Sequence, residues 1–158
     1  MNQKPWKVYT FWILLTEAVG ALSGWLTRDG MEIYQSQIRQ PPLSPPGWVF
    51  PVVWVILFAL MGIGMAKVWL SPPSHQRQVC LWLYLIQLAF NFCWSLFFFN
   101  LQWFGFALVW LLVLWLLILA MIRAFSHVSH SASLLQLPYL IWVTFAAYLN
   151  FGVWLLNR

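Results

Sequence analysis

The chain has 158 residues, of which 63% are hydrophobic and only 7% are charged, and its mean hydropathy is +0.77. Because an ordinary soluble domain carries about 25% charged residues, this composition excludes a water-soluble globular fold, and lipid must solvate most of the surface. The formal net charge of +5 comes from scattered lysines and arginines beside apolar runs. This placement indicates anchoring at anionic lipid headgroups rather than nucleic-acid binding.

Five apolar segments are long enough to cross the hydrocarbon core as helices, which takes about 20 residues. We therefore predict an all-α integral membrane bundle of five transmembrane helices in a single domain over residues 1–158. The first apolar run is too long for a signal peptide, so we expect it to be retained as a helix. The predicted helices cover residues 6–26, 48–70, 79–99, 104–125 and 134–156.

The connections between these helices differ in length and chemistry. Prolines within 71–74 end the second helix. The short turn at 100–102 makes the third and fourth helices antiparallel neighbours, and residues 126–133 form a polar link. The loop over residues 27–47 exceeds the usual loop length, which favours a functional loop with some structure of its own.

Lysine and arginine divide unevenly between the two ends of the predicted bundle. We expect a multi-pass protein of a bacterial cell membrane, and in such a membrane the positive-inside rule predicts a cytoplasmic N-terminus from this bias. The N-terminal end holds Lys4, Lys7, Lys67, Arg77 and Arg123, and the end with the long loop holds Arg28, Arg39 and Arg158.

Tryptophan is unusually frequent, with 13 residues. Those near predicted helix ends fit the aromatic belts at the membrane surfaces: Trp6, Trp25, Trp48, Trp69, Trp82, Trp103 and Trp154. Trp12 is intermediate. Others lie deeper, where an indole needs a partner for its N–H or a flat surface to stack on: Trp54, Trp94, Trp110, Trp115 and Trp142. We expect two or three of these deep side chains to line a pocket and the others to serve in packing.

A few polar or small residues interrupt the apolar runs. Glu17 is the only acid inside a predicted span, which indicates either a functional charge or a protonated side chain packed between helices. Gln87 and Asn91 lie four residues apart and serve either as interhelical hydrogen-bonding groups or as ligand donors. The Gly20 and Gly24 pair allows close contact between helices.

Catalytic and metal-binding patterns are missing from the sequence. There is no Ser/His/Asp arrangement, no pair of carboxylates and no phosphate-binding glycine loop. His75, His127 and His130 fall in connections opposite the long loop, where we interpret them as solvated side chains. We therefore predict no catalytic residue, no metal site and no required cofactor.

Three stretches of the predicted second, third and fifth helices form a joint pattern. They are 45–54 (PPGWVFPVVW) with Phe58, 87–91 (QLAFN) with Trp94, and 138–142 (PYLIW) with 149–151 (LNF). Together they resemble the tryptophan-rich sensory protein family, TspO, whose mitochondrial members are the translocator protein or peripheral benzodiazepine receptor. The resemblance extends over essentially the whole chain, including the five predicted helices and the long first loop.

The resemblance implies a five-helix bundle with a pocket beneath the first loop for porphyrins, sterols and synthetic isoquinoline or benzodiazepine ligands. It also implies a homodimer through the third helix, for which Ala89 and Cys93 are candidate contacts. The ligand-binding residues, matched motif by motif, would be Tyr34 as a lid with Trp54, Phe58, Asn91, Trp94, Trp142 and Ala146. Each same-helix pair of the last six is three or four residues apart and shares a helix face.

We expect a membrane receptor for flat hydrophobic ligands, chiefly tetrapyrroles such as protoporphyrin IX or haem, with a sensory or regulatory role. The macrocycle would stack on deep aromatic side chains, and Arg28 or Arg39 would pair with a propionate. Two alternatives stay open: tryptophan-dependent photo-oxidative degradation of porphyrin, as proposed for some members of the family, and transport of porphyrin or sterol.

The sequence also departs from the family pattern. Residues 40–43 read Gln-Pro-Pro-Leu where members usually have Lys-Pro-x-Trp, and Trp110 stands where many members have an acid. The sterol-recognition pattern of some animal members needs a basic residue shortly after Tyr148, and none follows before Arg158. Sterols are therefore the weaker ligand prediction.

Overall fold

The computed structural model describes residues 3–158, and every regular element within them is helical. A π-helical turn, Leu96–Asn100, directly follows the helix His75–Ser95 without a break. The helices in chain order are α1 (Pro5–Leu26), α2 (Arg28–Gln37), α3 (Val49–Trp69), α4 (His75–Ser95), α5 (Phe104–Ser126), α6 (His130–Leu134) and α7 (Leu137–Leu156).

Within the described residues, four helical segments are long and apolar enough to cross a membrane, which makes the chain an integral membrane protein. They are Val49–Trp69, His75–Asn100, Phe104–Ser126 and His130–Leu156. Helix α1 matches them in length with 22 residues, but Thr16, Glu17 and Ser23 lower its hydropathy. The predicted count of five helices is not confirmed, because four segments qualify as spans and the chain forms extra helices, α2 and α6, in its connections.

Capping, rather than hydropathy, decides where several helices begin. The Ser74 side chain accepts a hydrogen bond from the backbone N–H of Arg77, so α4 begins at His75 and includes polar residues that the prediction left in the link. Ser129 caps α6 in the same way, within the predicted polar link. Helix α7 then begins at Leu137, three residues later than predicted, with a proline in its first turn.

The five long helices form a closed ring. Helix α1 packs on α3 and α4, α4 on α5, α5 on α7, and α7 on α3. Two backbones approach closely at Gly62 of α3, where an added Cβ would lie 2.7 Å from the Cα of Ile13 on α1. Since glycine allows this backbone contact, α1 and α3 cross tightly near the N-terminal end of the bundle.

The long loop contains helix α2 and is held against the bundle by contacts at Gly30 and Arg39. Gly30 of α2 lies on the π-helical turn, where an added Cβ would be 2.5 Å from the carbonyl oxygen of Phe99. The backbone N–H of Arg39 donates to the Asn157 side chain at 3.0 Å, and that side chain donates back to the Arg39 carbonyl at 2.8 Å. The prediction that this loop has structure of its own is confirmed, and the loop covers one end of the bundle.

Candidate functional site

A cavity of about 470 Å³ lies between α1, α3 and α4, directly beneath the long loop. Its volume falls in the range of about 300–1,000 Å³ that is typical of small-molecule pockets. Glycines of α1 form one wall and aromatic residues of α3 and α4 form the other. Thr27, Arg28 and Met31 line it at the loop end.

The predicted site residues lie together but surround two spaces. Trp54, Phe58, Asn91 and Trp94 line the cavity of about 470 Å³. Tyr34, Trp142 and Ala146 line an adjoining void of only about 20 Å³, which Trp54 and Trp94 also border. A void of that size has room for about one water molecule, so the region beside Trp142 is closed in this conformation.

Trp54 lines both spaces, as do Phe50, Trp94 and Phe99. Its ring stacks on Phe58, with centroids 5.3 Å apart and an interplanar angle of 28°. It also meets Trp142 edge to face at 6.4 Å and Tyr139 at 6.2 Å. These contacts hold a large apolar surface in place at the cavity.

Trp94 offers a ring face rather than a hydrogen bond. Its indole N–H donates to the side-chain oxygen of Asn150 at 3.1 Å, and Asn150 donates onward to the Phe104 carbonyl at 2.8 Å. Its ring stacks on Phe98 with centroids 5.2 Å apart. Since its N–H is already paired, Trp94 can contribute only apolar and π-surface contact to a ligand.

Gln87 and Asn91 belong to a hydrogen-bonded network between α4 and α7. The Asn91 side-chain N–H donates to the Tyr139 hydroxyl at 2.7 Å, and that hydroxyl donates to the Gln87 side-chain oxygen at 2.8 Å. The interhelical role expected for these residues is therefore present. Asn91 also lines the cavity, so a ligand contact through its amide oxygen stays a prediction.

The Tyr34 side chain of α2 is buried, with 3% of its surface exposed. Its ring centroid lies 5.5 Å from those of both Phe98 and Phe99 and 6.4 Å from that of Phe50. Burial raises the pKa of its phenol to about 12, so the side chain is neutral at ordinary pH. The predicted lid therefore lies inside the aromatic cluster and separates the void beside Trp142 from the loop.

Arg28 is the basic residue that lines the cavity at the loop end. Its guanidinium carbon lies 4.6 Å from the Trp25 ring centroid, and its Nη1 donates to the Trp25 carbonyl at 2.6 Å. Asp29 is 3.9 Å away, and the Arg28 side chain is 55% exposed. Arg39 does not line the cavity, so Arg28 is the better placed of the two predicted partners for a ligand carboxylate.

The other deep tryptophans serve in packing. The indole N–H of Trp110 donates to the Phe90 carbonyl, and that of Trp115 donates to the Thr144 hydroxyl, each at 2.9 Å. Neither lines the cavity. Several tryptophans predicted near helix ends are largely exposed: Trp6, Trp25, Trp48, Trp82 and Trp103.

The sequence did not predict that α1 forms a wall of the cavity. Gly20 contacts the Phe58 ring, as expected for close packing, but an added Cβ at Gly24 would meet no atom within 4 Å. The spacing of Gly20 and Gly24 is the sequence signal at this wall, and it predicts close contact between helices rather than a cavity. Glu17, also noted in the sequence, lines the same cavity.

Metal binding has no evident site in the part of the chain that the structure describes. No three His, Cys, Asp or Glu side chains in residues 3–158 are grouped so that they could hold an ion. The three histidines lie at the start of α4 and around the α5–α6 connection. They are therefore at the end of the bundle opposite the cavity.

Comparisons with known proteins cover most of the chain. A sequence model described as the TspO/MBR family matches residues 12–155. The tryptophan-rich protein TspO of Chlorobaculum tepidum is 41% identical over 144 residues, which is 89% of each chain. The translocator protein of Bos taurus is 36% identical over 157 residues, 98% of this chain and 92% of that protein. The tryptophan-rich sensory protein of Cereibacter sphaeroides is 37% identical over 124 residues, 78% of this chain and 77% of that protein.

Proposed function

Because this chain belongs to the TspO/MBR family of membrane proteins, we propose that it is a receptor for flat hydrophobic ligands, chiefly tetrapyrroles such as protoporphyrin IX. Its role would be sensory or regulatory. The observation that carries the proposal is the cavity of about 470 Å³ with Trp54, Phe58 and Trp94 on its inner wall. A tetrapyrrole has two flat π-faces, which pack well against such rings. Sterols, which are flat but lack propionates, are the second ligand class.

Arg28 supplies the electrostatic part of the proposal. A tetrapyrrole with propionates has an apolar ring and an anionic edge, so it fits a cavity with aromatic side chains on one wall and Arg28 at its mouth. Arginine binds carboxylates through paired, charge-assisted hydrogen bonds. With 55% of its side chain exposed, Arg28 has donors free for a propionate at the membrane surface.

Tyr34 would act as a lid in this mechanism. The ring of Tyr34 fills the space between Phe50, Phe98 and Phe99, and only about 20 Å³ is left open beside Trp142. If Tyr34 moved out with α2, this void would join the main cavity through the shared wall at Trp54. We propose that a larger ligand occupies the joined space, with Trp142 and Ala146 as added contacts.

The membrane arrangement completes the proposal. At about 1.5 Å per residue, α1 is about 33 Å long, which suffices to cross the hydrocarbon core as a fifth span. We propose a bacterial cell membrane as its location, where the lysine and arginine bias favours a cytoplasmic N-terminus. A homodimer through α4 stays a prediction, with exposed Ala89 and partly exposed Cys93 on the contact face.

Replacing Arg28 by glutamine should weaken protoporphyrin IX binding about five- to tenfold, because one charge-assisted contact is lost at a partly exposed site. The measurement is a titration of the protein in lipid nanodiscs, followed by quenching of tryptophan fluorescence. The dimethyl ester of the porphyrin has no carboxylate, so it should bind the wild type and the variant equally well.

Arg39→Gln is the matched control, because it removes a loop arginine that does not line the cavity. Its affinity for protoporphyrin IX should equal that of the wild type. Equal losses in both variants would assign the effect to net charge rather than to the site. A wild-type protein without saturable porphyrin binding would reject the proposed function itself.

A further inference from the structure

A second groove lies at the opposite end of the bundle, where α1 begins, α3 ends and α4 begins. One part has a volume of about 720 Å³ and is lined by residues that include Lys4, Lys7, Phe11, Trp12 and Leu81. An adjoining part of about 470 Å³ extends to Arg77, and both parts share Gln3 and Trp69. No residue of this groove lines the aromatic cavity beneath the loop, so the two sites are separate.

Trp69 lines both parts of the groove and connects them. Its ring centroid lies 6.0 Å from that of Trp12 on α1 and 4.6 Å from the guanidinium carbon of Arg77 on α4. Its indole N–H donates to the side-chain oxygen of Gln3 at 3.2 Å. A single apolar surface therefore runs from the base of Arg77 to the aromatic side chains of α1.

On each of the two helices α1 and α4 that line the groove, a cation lies one helical turn closer to the membrane surface than an apolar residue. Lys7 and Phe11 are four residues apart on α1, and Arg77 and Leu81 are four apart on α4, so each pair shares a helix face. Both helices run inward from this end of the bundle. The cations therefore lie at headgroup depth and the apolar side chains lie deeper, with Phe11 57% exposed.

The groove carries positive charge without a balancing acid. The three acids of the chain are Glu17, Asp29 and Glu32, and none of them lines the groove. Arg77 is fixed in place, because its Nη1 donates to the carbonyls of Trp69 and Ser71, each at 3.0 Å. A ligand that is complementary to this groove must carry both an anionic group and an apolar chain.

We propose that this groove binds an anionic phospholipid. The phosphate lies among Lys4, Lys7 and Arg77, and an acyl chain follows Phe11 and Leu81 toward the membrane interior. Lysine and arginine near a membrane surface attract anionic lipids, and a fixed guanidinium is well suited to a phosphate. Such a site differs from diffuse attraction, because it depends on the cations of the groove and not on every cation at that end.

The test measures which lipids stay bound to the full-length protein. The protein is equilibrated with equal amounts of phosphatidylglycerol and phosphatidylcholine of the same acyl composition, and bound lipid is counted by native mass spectrometry. The wild type should retain phosphatidylglycerol in preference to phosphatidylcholine. The Lys4→Gln/Lys7→Gln variant should retain about tenfold less of it, because two cations of the headgroup site are lost.

The charge-matched control is Lys67→Gln/Arg123→Gln, which removes two cations at the same end that do not line the groove. It should retain phosphatidylglycerol like the wild type. Equal losses in the two double variants, or equal retention of the two lipids by the wild type, would overturn the site. The thermal unfolding midpoints of both double variants should match that of the wild type, which checks their fold and keeps this test independent of the proposed receptor function.

Arg77 is tested by a conservative change, because its hydrogen bonds to two carbonyls also support the α3–α4 connection. Arg77→Lys keeps the charge but replaces a guanidinium whose Nη1 is fixed by the Trp69 and Ser71 carbonyls with a flexible ammonium. We expect a two- to fourfold loss of retained phosphatidylglycerol, at the lower end of the net contribution of one ordinary hydrogen bond. Wild-type retention in this variant would show that the fixed guanidinium of Arg77 contributes nothing beyond its charge.

Discussion

Replacing Trp54 by alanine should weaken protoporphyrin IX binding by at least about tenfold, because the lost aromatic surface and its stacking together amount to about 1.5 kcal/mol or more. Trp54 borders both the main cavity and the void beside Trp142, and its position is held by Phe58 and Tyr139. The measurement is a fluorescence titration in nanodiscs. This is the largest loss that we expect from any single side chain of the cavity.

Trp82→Ala is the control for that variant. Trp82 also lies on a membrane helix, α4, but it is 61% exposed and lines neither space. The Trp82→Ala variant loses the same type of side chain as Trp54→Ala and should keep wild-type affinity for protoporphyrin IX. Unchanged affinity in both Trp54→Ala and Trp142→Ala would reject the aromatic site, whereas a loss at Trp142 as large as at Trp54 would show that Tyr34 leaves its place when ligand binds.

Replacing Gly62 by alanine should destabilise the bundle by about 1–3 kcal/mol, the usual cost of overpacking. An added Cβ would lie 2.7 Å from the Cα of Ile13 and 2.9 Å from both the Ile13 nitrogen and the Trp12 carbonyl oxygen. All three are backbone atoms, so the strain is relieved only if α1 moves away from α3. The thermal unfolding midpoint in detergent should fall by about 3–10 °C.

Gly24→Ala is the matched control, because it adds the same methyl group to a membrane helix at a position with nothing within 4 Å. Its midpoint should be equal to that of the wild type or higher, since alanine favours helix. A Gly62→Ala protein as stable as Gly24→Ala would mean that α1 and α3 do not cross as closely as described.

Hydrophobic length made the membrane class and the long helices predictable from sequence. A span needs about 20 apolar residues whatever it packs against, so α3 and α5 lie within a residue or two of their predicted bounds. The start of α4 was not predictable in the same way. Ser74 caps a helix that continues through polar residues beyond the membrane, and hydropathy marks the membrane boundary rather than the helix end.

The lining of the candidate site was only partly predictable. The deep tryptophans look alike in sequence, yet Trp94 lines the cavity whereas Trp110 pairs with a backbone carbonyl of its neighbour helix. These helices are apolar on all sides, so periodicity does not reveal which face points inward. The cavity beside Gly24 depends on how α1 and α3 separate beyond their crossing at Gly62. That separation is a tertiary feature, which the spacing of Gly20 and Gly24 does not reveal by itself.

We expect ligand to occupy the space beside Gly24 between α1, α3 and α4. Gly24→Leu tests this placement, because the new side chain would occupy part of the cavity from a position where its Cβ meets no atom within 4 Å. We predict that protoporphyrin IX affinity falls by about tenfold or more through steric exclusion, while the thermal midpoint stays within a few degrees of that of Gly24→Ala. A folded Gly24→Leu protein that binds protoporphyrin IX like the wild type would contradict the account.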